Sequence, residues 1–208
     1  MKVIDLKTWK RKEYFDFFSS FDDPFHGLVS EIDCTMAYKK AKEQKISFFS
    51  LYLHKAITAA NKIEEFKYRI DNNKIVLFDT IHSAPTIGRE DGTFSFSFNP
   101  FNKDLAIFDK SLKEVVKKVQ NSVGLGLSEN SYRTDVIHFS SIPWSKFTSL
   151  THARNFKIED TIPKITFGKM FLNEERYFLP IAVNVHHGFA DGIHVSQFLK
   201  EFQYLMNV

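Results

Sequence analysis

At 208 residues and 43% hydrophobic content, with no low-complexity linker, the chain suffices for one domain with a sizeable core, expected over 1–208. A net charge of +3, with lysines scattered among acidic neighbours, implies no nucleic-acid partner, and 23 phenylalanines point to an aromatic core. Cys34 is the only cysteine, which excludes an internal disulfide; with no signal peptide and no 18-residue apolar run, a cytoplasmic protein without a membrane partner is expected.

Thr8 stands where it would cap a helix running over 9–17, with charges on one side and aromatics on the other. Residues 28–34 alternate as a strand and 36–44 form a short Ala/Lys-rich helix. Ser47 then caps a second helix to Ile63, with Phe48, Leu51, Ala56, Ile57 and Ala60 as its apolar content. Asp71-Asn72-Asn73 between the runs 66–70 and 74–78 is a hairpin signal. Strict alternation over 93–98 predicts a strand whose Phe94, Phe96 and Phe98 face is buried. From Asp104, Leu105, Phe108, Leu112, Val115, Val116 and Val119 trace one side of a long helix, and 124–135 reads as loop. Strands over 136–141, 164–171 and 177–187 follow, with Asn173-Glu174-Glu175 as the turn between the last two. Helices beside a mixed, mostly antiparallel sheet give an α+β, two-layer α/β sandwich. A doubly wound fold is disfavoured because its glycine-rich strand-to-helix turn is missing.

The chemistry concentrates at the end of the last strand. Ile181, Val183, Val185 and His187 share one face there, and Ala182, Asn184 and His186 the other, so the two histidines point opposite ways. Gly188 and Asp191-Gly192 turn the chain into a closing helix marked by Val195, Phe198, Leu199, Phe202 and Met206. A single strand-end histidine is usually a hydrogen-bonded structural residue, and Asp-Gly is a common turn pair. A zinc site is disfavoured, since adjacent strand histidines cannot close on one ion and His187, Asp191 and His194 lack a zincin spacing.

Taken together, His186-His187-x-x-x-Asp191-Gly192 at the end of an apolar strand resembles the active-site signature of the chloramphenicol acetyltransferase family, within the wider CoA-dependent acyltransferases. The resemblance extends from Trp9 to about Leu205, and Trp9-Lys10-Arg11-Lys12-Glu13 matches the family's opening segment residue for residue. It implies His187 as general base, His186 as structural, and a buried ion pair between Arg11 and Asp191 that supports the site. In Phe139-Ser140-Ser141-Ile142-Pro143-Trp144 it implies Ser140 as the hydroxyl that stabilises the tetrahedral intermediate, with Ser141 as its silent neighbour. Thr166 is implied as a further support acting through water. Direct transfer from acetyl-CoA in a ternary complex, no metal, chloramphenicol or a similar aryl-amino-diol as acceptor, and a homotrimer with sites between subunits complete the expectation, together with a role in antibiotic resistance. Departures from the family's pattern fall at Pro24-Phe25-His26, Ile87-Gly88-Arg89-Glu90, Asn184 and the 147–152 segment, which concern the pocket or its support.

Two rivals share parts of this pattern. A dihydrolipoamide-type acyltransferase carries a related His-x-x-x-Asp-Gly motif, but is disfavoured because the sequence shows no lipoyl or subunit-binding domain and no Pro/Ala-rich linker. A non-catalytic acyl-CoA-binding relative is disfavoured by the intact base, serine and arginine–aspartate set.

Overall fold

The computed structural model describes residues 1–208. In chain order, β1 (Lys2–Val3) and α1 (Lys12–Phe18) are followed by β2 (Phe25–Asp33), α2 (Thr35–Glu43) and α3 (Phe48–Lys62). The strands β3 (Tyr68–Asp71), β4 (Lys74–Leu77), β5 (His82–Gly88) and β6 (Phe94–Phe96) lead to α4 (Leu105–Gln120). Then β7 (Val136–Ser141), β8 (Lys164–Phe167), β9 (Phe171–Asn173) and β10 (Arg176–His186) lead to α5 (Gly192–Met206).

Around β10 lies the main sheet, in the order β2-β10-β8-β7-β5-β6, with β9 also paired to β10. The β5–β7 and β7–β8 pairings are parallel and the others antiparallel. Ile181, Val183 and Val185 of β10 share one continuous core with Val195, Phe198 and Phe202 of α5 and with Leu51, Leu53 and Ile57 of α3. The helices therefore cover the odd-numbered face of β10. By register, Thr166 lies opposite Ala182 and Ser140 opposite Thr166, so all three lie on the other face.

Several expectations change in physical detail. Thr8 caps nothing: its hydroxyl bonds the carbonyl and carboxylate of Asp5, and α1 begins only at Lys12. Ser47 occupies its cap position without a side-chain bond, whereas Asp104 caps α4 by accepting from the N–H groups of Ala106 and Ile107. The 66–78 hairpin turns through Asn72 and Asn73, both at positive φ (48° and 57°), but it pairs with β1 in a separate three-stranded sheet. The strand expected over 164–171 breaks after Phe167. Gly168 donates to the Pro180 carbonyl, and Pro180 has no N–H with which to return the bond. Within the 124–135 loop, Glu129–Tyr132 forms a 3₁₀ turn.

The largest correction concerns β6. Phe94 and Phe96 are exposed and Ser95 is buried, the reverse of the expected facing. The 124–126 loop covers the serine side. Phe96 N–H donates to Leu125 O, and a Cβ on Gly126 (φ +65°) would come to 2.1 Å from Ser95 Oγ.

Candidate active site

His187 follows the last residue of β10, where its N–H donates to Pro24 O at 2.8 Å. Its ring lies between two others. Phe18, the last residue of α1, stacks on it at 3.9 Å with planes 3° apart, and His26 of β2 stands at 4.3 Å. His26 is itself fixed, its Nε2 donating to Ala190 O at 3.1 Å. The Nδ1 of His187 is buried without a partner. The two neighbouring rings thus fix the plane of an imidazole, a group suited to proton exchange near neutral pH.

One guanidinium holds the turn that carries it. Arg11 donates to His187 O (3.2 Å), to Gly188 O (3.3 Å) and to Asp191 Oδ2 (3.2 Å). The expected pair with Asp191 is present, but it is half-buried and not buried: the Asp191 side chain retains 32% exposure against 13% for Arg11. Burial works to raise the Asp191 pKa. The Arg11 hydrogen bond and the nearby His194 outweigh it and hold the carboxyl below its usual range. Asp191 also caps α5, accepting from Ile193 N–H, while His194 Nδ1 accepts from Asp191 N–H. Gly188 is required here, because a Cβ would come to 3.0 Å from both the Phe15 backbone and the His186 ring.

His186 points the other way, into Phe15, Phe25 and Phe189, with its Nδ1 accepting from Gly188 N–H. Burial first and the Arg154 charge second push its pKa down to about 4. Trp9 packs against Phe15, Tyr68 and Phe189, joining the small sheet to this corner.

Ser140 and Thr166 form the other half of the expected set. They are neighbours in register, with Thr86 Oγ1 at 3.3 Å from Ser140 Oγ. Thr166 is buried and its hydroxyl has no partner, whereas Ser141 is occupied by Tyr52 OH at 3.0 Å. The structure does not bring this pair to His187. Thr166 faces Ala182, and His187 lies five residues further along the strand, ~16 Å at ~3.3 Å per residue.

Phe18 and His26 were missed by sequence reasoning as positioners of the imidazole. The local traces were the paired Phe17-Phe18 at the end of an amphipathic segment and the departure from the family's pattern at Pro24-Phe25-His26. No cluster of three or more His, Cys, Asp or Glu side chains stands in metal-holding geometry.

Comparison with known proteins gives the family. The family pattern of chloramphenicol acetyltransferase matches residues 1–203. A chloramphenicol acetyltransferase of Clostridium butyricum is 30% identical over 207 residues, covering 98% of this chain and 93% of that protein. A solved chloramphenicol acetyltransferase superposes with TM-score 0.92 at 34% identity, covering 99% of each chain. Azotobacter vinelandii dihydrolipoamide acetyltransferase shares the fold at TM-score 0.68 and 15% identity, covering 94% of this chain and 86% of that one. A His-His-x-x-x-Asp-Gly turn held by Arg11, on a mixed sheet that superposes along its whole length with such an enzyme, has one assignment: the chain belongs to the chloramphenicol acetyltransferase family of acyltransferases.

Proposed function

We propose that the chain, acting as one domain over 1–208, transfers the acetyl group of acetyl-CoA to a hydroxyl of chloramphenicol or a similar aryl-amino-diol, with His187 as general base. His187 removes the hydroxyl proton as the oxygen attacks the thioester carbonyl. The oxyanion of the tetrahedral intermediate accepts a hydrogen bond from Ser140, supported by Thr166 through water. Collapse breaks the C–S bond, and the leaving thiolate takes the proton back from His187. Arg11 and Asp191 act as positioning residues, since neither needs to touch substrate to fix the turn.

The observation that carries this reading is the three-point hold of Arg11 on His187 O, Gly188 O and Asp191, which ties down the turn that follows the strand. Register supports a site shared between copies. With ~16 Å of strand between them, His187 and Ser140 of one chain cannot serve one acyl group, but those of two neighbouring chains can, as in a homotrimer. Such an enzyme would work in the cytoplasm, where acetyl-CoA is made, and would inactivate the antibiotic. The test is thiol release from acetyl-CoA by purified protein with chloramphenicol, alongside sedimentation analysis. Turnover by a trimer is expected; release no faster than in buffer would reject the reading.

A further inference from the structure

One step along the sheet face from the Ser140–Thr166 row, Lys164 of β8 lies opposite Asn184 of β10, which lies opposite Gly27 of β2. A cleft of about 460 Å³ opens there, closed on its far side by the 148–154 segment. The glycine makes room for the amide: a Cβ at position 27 would come to 2.4 Å from Asn184 Oδ1. Two cations lie over the ring of Phe25, the Arg154 guanidinium 3.5 Å and the Lys164 ammonium 4.6 Å from its centroid. Each of these side chains is only 11% exposed.

The cleft has more hydrogen-bond donors than partners. Arg154 gives Nη1–H to Asp23 Oδ1 at 2.9 Å, which occupies one corner of a five-hydrogen fork. Lys164 bonds Asp160 and the Ile162 carbonyl and retains a third hydrogen. His152 lines the same cleft with its Nε2 buried and unpartnered. The two cations act on the neighbouring histidines, although on His186 the Asp160 and Asp23 carboxylates oppose them. Burial and then the Lys164 and Arg154 charges hold His152 below its ordinary range, and Arg154 acts likewise on His186.

We propose that this cleft binds an anionic oxygen group on the acceptor, so that the preferred acceptor is an alcohol bearing a carboxylate or phosphate held by Arg154 and Lys164. This rests on the acyl-transfer reading, keeps its chemistry and places an anionic alcohol ahead of chloramphenicol as acceptor. The two-residue step from Lys164 to Thr166 spans ~7 Å, enough to hold the anionic group in the cleft while the hydroxyl reaches the Ser140–Thr166 row. A neutral alcohol such as chloramphenicol leaves the guanidinium fork unused and is the poorer substrate.

The test uses three probes of one shape: 4-(hydroxymethyl)benzoate, 4-(hydroxymethyl)phenyl phosphate and the neutral methyl 4-(hydroxymethyl)benzoate. Binding to the intact protein is measured by calorimetry and acetylation by thiol release. At least one acid is expected to bind about tenfold or more tighter than the ester, as charge-assisted bonds should give, and the stronger of the two identifies the anion. Arg154→Gln should bring the acid down to the level of the ester. Asp23→Asn, which frees the fork, should tighten the acid about threefold or more. Equal binding of acids and ester, or an Arg154→Gln protein that keeps the preference, would overturn the proposal. If the acid binds selectively yet no alcohol, chloramphenicol included, releases thiol, the acyl-transfer reading fails while the anion site stands.

Discussion

The His187 corner and the Ser140–Thr166 row lie on the same sheet and are finished to different degrees. In the corner the main chain is tied and the ring is clamped, His187 N–H to Pro24, its carbonyl to Arg11, its ring between Phe18 and His26, and only the buried ring Nδ1 lacks a partner. In the row, the Thr166 hydroxyl is buried with no partner and Ser140 has only a 3.3 Å contact with Thr86. A buried unpaired hydroxyl costs ~1–3 kcal/mol, so the row stores an unmet hydrogen-bonding demand that a substrate or bound water can satisfy. The difference teaches where one chain suffices. It fixes the plane of the His187 ring by itself, but leaves the Thr166 hydroxyl with a bond to be made by a group from outside.

Removing the His187 imidazole breaks the corner most completely. His187→Ala should lower kcat by ~10²–10⁴-fold with the circular-dichroism spectrum and melting midpoint little changed, because the ring supports chemistry more than the core. Unchanged turnover would show that the corner is only structural.

The row is probed by its two serines. Ser140→Ala should cost ~10²–10³-fold in kcat with little change in acetyl-CoA binding, as for loss of one donor to the oxyanion. Ser141→Ala, which loses only a bond to Tyr52, should leave kcat within a few-fold. Steady-state kinetics on the pair decides: a pure KM effect at Ser140 would move it from charge stabilisation to ground-state binding.

Acid sharpens the contrast between the two adjacent histidines. His186 has a folded pKa of about 4 against an ordinary value of 6.5, so the unfolded chain takes up its proton first. The stability it contributes is complete above pH 6.5 and falls as pH is lowered towards 4, by ~3 kcal/mol. His186→Asn, which can keep an acceptor for Gly188 N–H, should remove that part of the slope in urea unfolding measured across this range. An unchanged slope would reassign the acid sensitivity to other groups.

The smallest effect concerns the clamp. Arg11→Ala and Asp191→Asn should each lower turnover and melting midpoint, and the double variant should be little worse than either, with a coupling energy in the lower part of ~0.5–3 kcal/mol because Asp191 keeps 32% exposure. Strict additivity in a double-mutant cycle would dissolve the unit. On acidification the Asp191 contribution, present above its usual range, is lost only as pH falls through its lowered folded pKa.

Much of this architecture could be read from local pattern. Alternation marks β7 and β10, helical spacing marks α4 and α5, and Asn72-Asn73 marks the hairpin, because each is decided by neighbours in sequence. What escaped reading is decided by distant atoms. Alternation at 93–98 separates two faces correctly but carries no information about which one the 124–126 loop will cover. Nothing near Phe167 announces that the next residue, Gly168, will face Pro180 across the ladder. A family's motifs single out His187, Asp191, Arg11, Ser140 and Thr166 as candidates, whereas Phe18 and His26 meet the His187 ring through stacking that has no sequence spacing. The cations of the cleft lie in a loop and on a strand whose meeting over Phe25 only the fold brings about.

The central position of β10 also governs how the molecule is made. Its neighbour β2 ends at Asp33, and β10 begins only at Arg176, so residues 34–175 are synthesised between one strand and its partner. At ~5–20 residues per second that interval is on the order of ten seconds. During it β2 presents a nine-residue open edge and β8 lacks one of its two neighbours. The nascent chain is thus most exposed to mispairing just before the strand that leads to the His187 corner arrives, and the same event closes the sheet and assembles that corner.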